Sequence, residues 1–309
     1  MTAPVVLLGP QNGDPDVGRV LREHRVEGRV ALVTAGWQER EPDDAALVAA
    51  LGLPVVNLRL HARAEEVFAA DPPLVAAYHA RQELLRHLQD FYRVRLDYID
   101  DAARAISVRL VEPELLEQEW TVSVDLFRQL DRDHLERCTA IHASFDDRWR
   151  LGEREVIARH RRELAALIHA SAALVIAGGH VASLLNRLKL FDVVALAAER
   201  PIVAWSAGAM LLTERIVLFH DHPPYGKAIA QVLDAGFGLA PGLVVLPDPV
   251  RRIRMDDRLG IARFAQRMAP STCVAMGQGS RIVIEQGRLT RAAADRLAAT
   301  GDVERGWAG

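Results

Sequence analysis

Ile202-Val203-Ala204-Trp205-Ser206-Ala207-Gly208-Ala209-Met210-Leu211-Leu212 is the stretch on which the reading of the fold turns. A short run apolar on both faces suits a strand covered by helices on either side. The run stops at a serine, and a helix-forming sequence begins at once. A strand that passes directly into a helix through Ser206 is the context of a nucleophile elbow, in which the hydroxyl stands out from a sharp, strained turn. Residues two before and two after such a serine must be small, and here they are Ala204 and Gly208. The N–H of Ala207 would then lie at a helix N-terminus, aimed at a developing oxyanion. A serine that only N-caps a helix in a small-residue turn gives the same letters.

Working outward, Val5–Leu8, Val30–Val33, Val55–Leu60, Ala173–Ala177 and Val244–Leu246 repeat the pattern of a short apolar run that adjoins Gly, Pro, Ser or Asp and a helical segment. This alternation predicts an α/β fold: an open, mostly parallel sheet with helices on both faces and ligands outside the carboxyl ends of the strands. Residues from about 62 to 170 break the alternation. They read as helices punctuated by Pro72-Pro73 and Glu112-Pro113, with Leu84, Leu85, Leu88, Phe91 and Tyr92 on one face and Val156, Ile157, His160, Leu164, Leu167 and Ile168 on another. The chain is therefore expected to be a single α/β domain, 1–309, interrupted by a helical insertion. That insertion could pack on a sheet face, act as a lid, or form a homodimer surface. Arg281–Glu285 and Arg288-Leu289 around Gln286-Gly287 predict a hairpin, and the tail after about Ala299 is expected to fray.

The 309 residues are 50% apolar and 26% charged with a net charge of −3, which excludes a disordered polymer, a coiled-coil rod and a collagen. The near balance of acid and base argues against nucleic-acid binding driven by bulk charge. No apolar run approaches the roughly 18 residues of a membrane span. Two distant cysteines, no secretion signal and no span lead to the expectation of a cytoplasmic protein without a membrane partner. Cys273 reads as core.

A second turn, Ala177-Gly178-Gly179-His180, also closes a strand and opens a helix. Its two glycines allow close backbone approach, with N–H groups facing an anion; His180 reads as a helix-start residue whose backbone matters. Phe219-His220-Asp221-His222-Pro223-Pro224 follows the apolar run Ile216–Phe219. If that run is parallel to its neighbours, His220 and His222 reach the edge where Ser206 sits, and one of them could serve as base. A polar loop is the simpler use, and a metal held by both with Asp248 or Glu39 is the remoter one. Trp37-Gln38-Glu39 follows the second strand. Glu39 is a candidate orienting carboxylate or merely part of an acidic helix start. Trp37 and Trp205 could wall a pocket or pack in the core. Arg251, Arg252 and Arg254 could hold a substrate carboxylate or decorate a helix.

The order Gly178-Gly179, then Trp205-Ser206-Ala207-Gly208-Ala209, then a strand ending in Leu246-Pro247-Asp248 resembles the peptidase S51 family, the cyanophycinases and dipeptidase E-like serine peptidases, whose fold is related to class I glutamine amidotransferases and flavodoxin-like sheets. The resemblance covers about 1–60 and 171–290 and leaves out the insertion. It implies Ser206 as nucleophile, the N–H groups of Gly179 and Ala207 as oxyanion hole, a small peptide or peptide-like substrate and no cofactor or metal. It departs from the family at Asp248, which stands where the family's histidine is expected. A carboxylate of ordinary pKa, about 4, is a poor base for a serine hydroxyl. The alternative is a catalytically impaired, ligand- or partner-binding protein on the same fold.

Overall fold

The computed structural model describes residues 3–219 and 229–309. The N-terminal half alternates β1 (Val5–Leu8), α1 (Val17–Glu23), β2 (Val30–Val33), α2 (Ala45–Leu51), β3 (Val55–Asn57) and α3 (Leu60–Ala70). Two long helices follow, α4 (Pro72–Ser107) and α5 (Pro113–Trp149), and then α6 (Glu155–His169). The alternation resumes with β4 (Ala173–Ile176), α7 (Val181–Phe191), α8 (Val193–Leu196), β5 (Ile202–Trp205) and α9 (Ala207–Leu211). The remainder is β6 (Arg215–Leu218), β7 (Gln231–Ala235), β8 (Leu243–Pro247), α10 (Pro249–Arg252), α11 (Arg258–Met268), β9 (Thr272–Met276), β10 (Arg281–Glu285), β11 (Arg288–Leu297) and β12 (Val303–Trp307).

The large sheet runs β3-β2-β4-β5-β1-β10-β11-β9-β8, with β12 paired to β11. The first five strands are parallel throughout. β10 and β11 are antiparallel, and β9 with β8 is again a parallel pair. Helices cover both faces, and the strands show why. Val6 and Leu8 of β1, Val30 and Leu32 of β2, and Val175 of β4 enter one apolar cluster with Val17, Leu21 and Leu51 of α1 and α2. The alternate residues Leu7, Ala31, Val33, Leu174 and Ile176 enter the larger cluster under α3–α7. Side chains along a strand alternate faces, so a run apolar at every position is what a doubly covered strand requires.

α3 to α6 occupy residues 60–169 between β3 and β4. Pro72 and Pro73 occupy the first turn of α4, where a missing N–H costs nothing, and Asp71 caps it by accepting from the Leu74 N–H at 3.1 Å. Three expectations are corrected. β6 pairs antiparallel with β7 in a separate two-stranded sheet, because its partner is a hairpin neighbour and not a strand of the main sheet. The tail is ordered as β12, which adds to the edge of β11. Leu84 and Phe91 do not share the buried face of Leu88 and Tyr92; they stand exposed. No helix of the described residues is long and apolar enough to cross a membrane.

Candidate functional site

Ser206 joins β5 to α9 with φ 51° and ψ −121°. This is backbone that L residues rarely adopt and that persists only where surrounding packing imposes it. The packing is visible. A Cβ added to Gly178 would lie 2.9 Å from the Ser206 Cβ, and one added to Gly208 would lie 2.6 Å from the Ile176 carbonyl oxygen. Only glycine at both positions lets the ends of β4 and β5 approach this closely. Ala204 is fully buried, as a crowded turn demands. The Ser206 carbonyl accepts from the Met210 N–H at 3.0 Å, which starts α9 immediately after the serine and leaves the Ala207 N–H without an intrahelical acceptor.

Ser206 opens into a cleft of about 900 Å³ outside the carboxyl ends of β1, β4, β5 and β8. Gly178, Gly179, Ala207, Trp37, Trp205 and Asp248 line it as well. Asp248 ends β8 in left-handed backbone, φ 57° and ψ 53°, and its N–H donates to the Met276 carbonyl at 3.1 Å. β8 lies at the far edge of the sheet from β5; it reaches the cleft because α9 packs against it. Glu39 is exposed and outside the lining, as is Arg251. The guanidinium in the cleft is that of Arg252, 5.9 Å above the Phe219 ring. His220 and His222 lie outside the described residues.

His180 is the imidazole the structure brings to this cleft among the described residues. Its backbone N–H donates to the Gly36 carbonyl at 2.7 Å, tying β4 to β2. Its Nδ1 accepts from the Ser183 N–H at 3.2 Å and lies 2.9 Å from the Ser183 Oγ. That oxygen in turn accepts from the Gln38 Nε2 at 2.9 Å. A backbone N–H can only donate, so Nδ1 is an acceptor and a neutral His180 carries its proton on Nε2. In this arrangement the Nδ1 lone pair of His180 is already engaged by Ser183. Gln38, which fixes the arrangement, has φ 58° and ψ −125°, nearly the conformation of Ser206. Gln38 and Ser183 were not singled out from the sequence, which carries no signal that residues 145 positions apart meet.

Both cysteines are remote from this chemistry. Burial pushes the thiols of Cys138 and Cys273 up to about 12, so neither is a nucleophile at neutral pH. Among the described residues no group of three or more His, Cys, Asp or Glu side chains is placed to hold a metal ion.

No protein-family model matches the chain, and no curated protein matches it significantly. Solved structures are similar to it. A peptidase from an acI-B1 actinobacterium superposes with a TM-score of 0.48 at 11% identity, over 97% of this chain and 92% of its own. A protein provisionally described as peptidase E from Listeria monocytogenes EGD-e superposes with a TM-score of 0.46 at 12% identity, over 96% of this chain and 100% of its own.

Proposed function

We propose that this chain is a serine-nucleophile amide hydrolase acting on a small peptide or peptide-like substrate. The observation that carries the reading is the strained backbone of Ser206 at a strand-to-helix turn, with its side chain on an open cleft. In the reaction the Ser206 Oγ bonds to the substrate carbonyl carbon and gives its proton to a base. The N–H groups of Ala207 and Gly179 take the resulting oxyanion, and the amine departs with the proton. Water then cleaves the acyl ester and restores the hydroxyl. The base comes from the His220-Asp221-His222 segment, and the Nε2–H of His180 and the guanidinium of Arg252 hold the substrate.

A fluorophosphonate probe tests this. The intact protein should be labelled on Ser206, and Ser206→Ala should abolish the label; equal labelling of both proteins would sink the reading. A second reading, a binding protein that keeps the elbow without turnover, is favoured by one observation: Asp248, a carboxylate, occupies the cleft at the end of β8.

A further inference from the structure

Ten of the twelve large apolar side chains that stand exposed among the described residues lie on α4, α5 and the turn between them. On α4 they form a line. Leu84, Phe91 and Tyr98 recur every seven residues and are 52%, 61% and 73% exposed, with Val94 between them at 55%. Ala80, Ala102 and Ala105 extend the line in both directions, and the polar residues within it are His87 near its centre and Asp101 toward its C-terminal end. The adjoining face of the same helix is fully engaged: Leu88, Tyr92, Leu96 and Ala103 are buried against α5 and the core. A helix with one apolar face buried and a second one bare has a packing surface left over.

We infer that this second face of α4 is the contact between two copies of the chain, helix against helix about a twofold axis. Apolar residues at a seven-residue repeat are the pattern that seats one helix on another. The area is sufficient. The four large side chains offer on the order of 500 Å² of apolar surface, and interfaces are only about 57% apolar, so the contact approaches the roughly 800 Å² per partner of a standard interface. Charge selects both partner and direction. Glu83, Asp90 and Asp97 flank the line on one side and Arg95 on the other. Among the described residues Arg95 forms no ion pair within its own chain, whereas Asp90 pairs only with exposed arginines of its own helix. With the two helices parallel, Asp90 of each copy faces Arg95 of the other; with them antiparallel, the acidic flanks would face each other. The acidic flank also disfavours an anionic lipid or nucleic-acid surface as occupant.

Sedimentation velocity of the full chain at tens of micromolar should give twice the mass of one chain. Phe91→Asp with Tyr98→Asp should raise the dimer dissociation constant roughly a hundredfold or more, as the loss of two aromatic anchors implies, while far-ultraviolet circular dichroism stays unchanged because both residues are exposed. Phe91→Cys and Tyr98→Cys should each form an interchain disulfide on mild oxidation, since parallel pairing places every residue beside its own copy; the native Cys138 and Cys273 are buried and silent. A monomeric chain, a dimer that survives the double substitution, or a monomer that instead co-sediments with phosphatidylcholine vesicles would each overturn the inference.

Discussion

Ser206 and Asp248, which line the cleft, and Gln38, next in sequence to the lining residue Trp37, are non-glycine residues with positive φ. Strain of this kind costs on the order of 1–3 kcal/mol per residue and is retained where it aims a side chain. At Asp248 it also makes a clean experiment available, because Asp, Asn and His are the residues that best tolerate left-handed backbone. Asp248→His should therefore fold without new strain and place an imidazole in the cleft of Ser206. On the second reading, in which the chain binds without turnover for want of an imidazole at position 248, hydrolysis of small amide or ester substrates should rise by roughly 10²–10⁴-fold, the usual contribution of a positioned general base. The gain should vanish when Ser206→Ala is added. An unchanged rate in Asp248→His would refute the idea that position 248 is where the chemistry was lost. The strand-to-helix turn at Ser206 was legible in the sequence because its parts are local: the strand, the small neighbours and the helix start lie within a few residues of it. The hydrogen-bond chain that fixes the His180 tautomer was not legible, because Gln38 and Ser183 meet only through the tertiary fold.

At the scale of elements, the parallel strands and the helices that cover them could be read from sequence because each element is specified by its own pattern of apolar residues. Direction and partner are not so specified. β6 is apolar enough to suit the main sheet, and what sends it elsewhere is the hairpin with β7. β12, Val303-Glu304-Arg305-Gly306-Trp307, is an edge strand rich in charge and carries no continuous apolar run. Equally hidden was what fastens the insertion to the α/β layer. Arg267 of α11 is buried and donates to both carboxylate oxygens of Asp131 on α5, at 2.7 and 2.8 Å, and to the Tyr92 hydroxyl on α4 at 2.8 Å. Tyr92 donates to Asp131 at 2.8 Å and accepts from the Val232 N–H of β7 at 3.0 Å. Four elements meet in one polar knot inside the core. Removing one partner leaves a buried charge uncompensated, so Arg267→Met should lower stability by about 3–5 kcal/mol in urea unfolding. Replacing both partners with apolar groups restores much of such a loss. Arg267→Met with Asp131→Leu should therefore be more stable than Arg267→Met alone; a double variant as unstable as the single one would show that the knot does more than satisfy its own charges.

The whole molecule should register these buried groups as a dependence of stability on pH. Burial is the leading cause that holds His24, His134 and His160 below the ordinary histidine value of 6.5. At His160 geometry enforces the same result, because its Nδ1 lies 2.9 Å from the Arg63 guanidinium, which can only donate. His134 stacks on Tyr92, with ring centroids 4.3 Å apart, beside the polar knot. Each imidazole is therefore neutral in the folded chain at pH values where the unfolded chain already binds a proton. The unfolded state takes up protons first as pH falls through 6.5, so stability is fully present above that value and declines below it, by up to about 1.4 kcal/mol per pH unit for each proton of difference. Carboxylates act lower down. The Arg281 and Arg63 guanidiniums hold Glu23 and Glu163 below the ordinary 4.5, so their contribution persists until the pH approaches that value and is lost beneath it. Decline between pH 6.5 and 5 thus belongs to the histidines. The urea midpoint should be level from pH 8 to 7 and fall from 6.5 to 5, and His160→Gln, which keeps a neutral acceptor for Arg63, should flatten part of that slope. A midpoint constant down to pH 5 would mean that these imidazoles are protonated, or reached by water, in the native state.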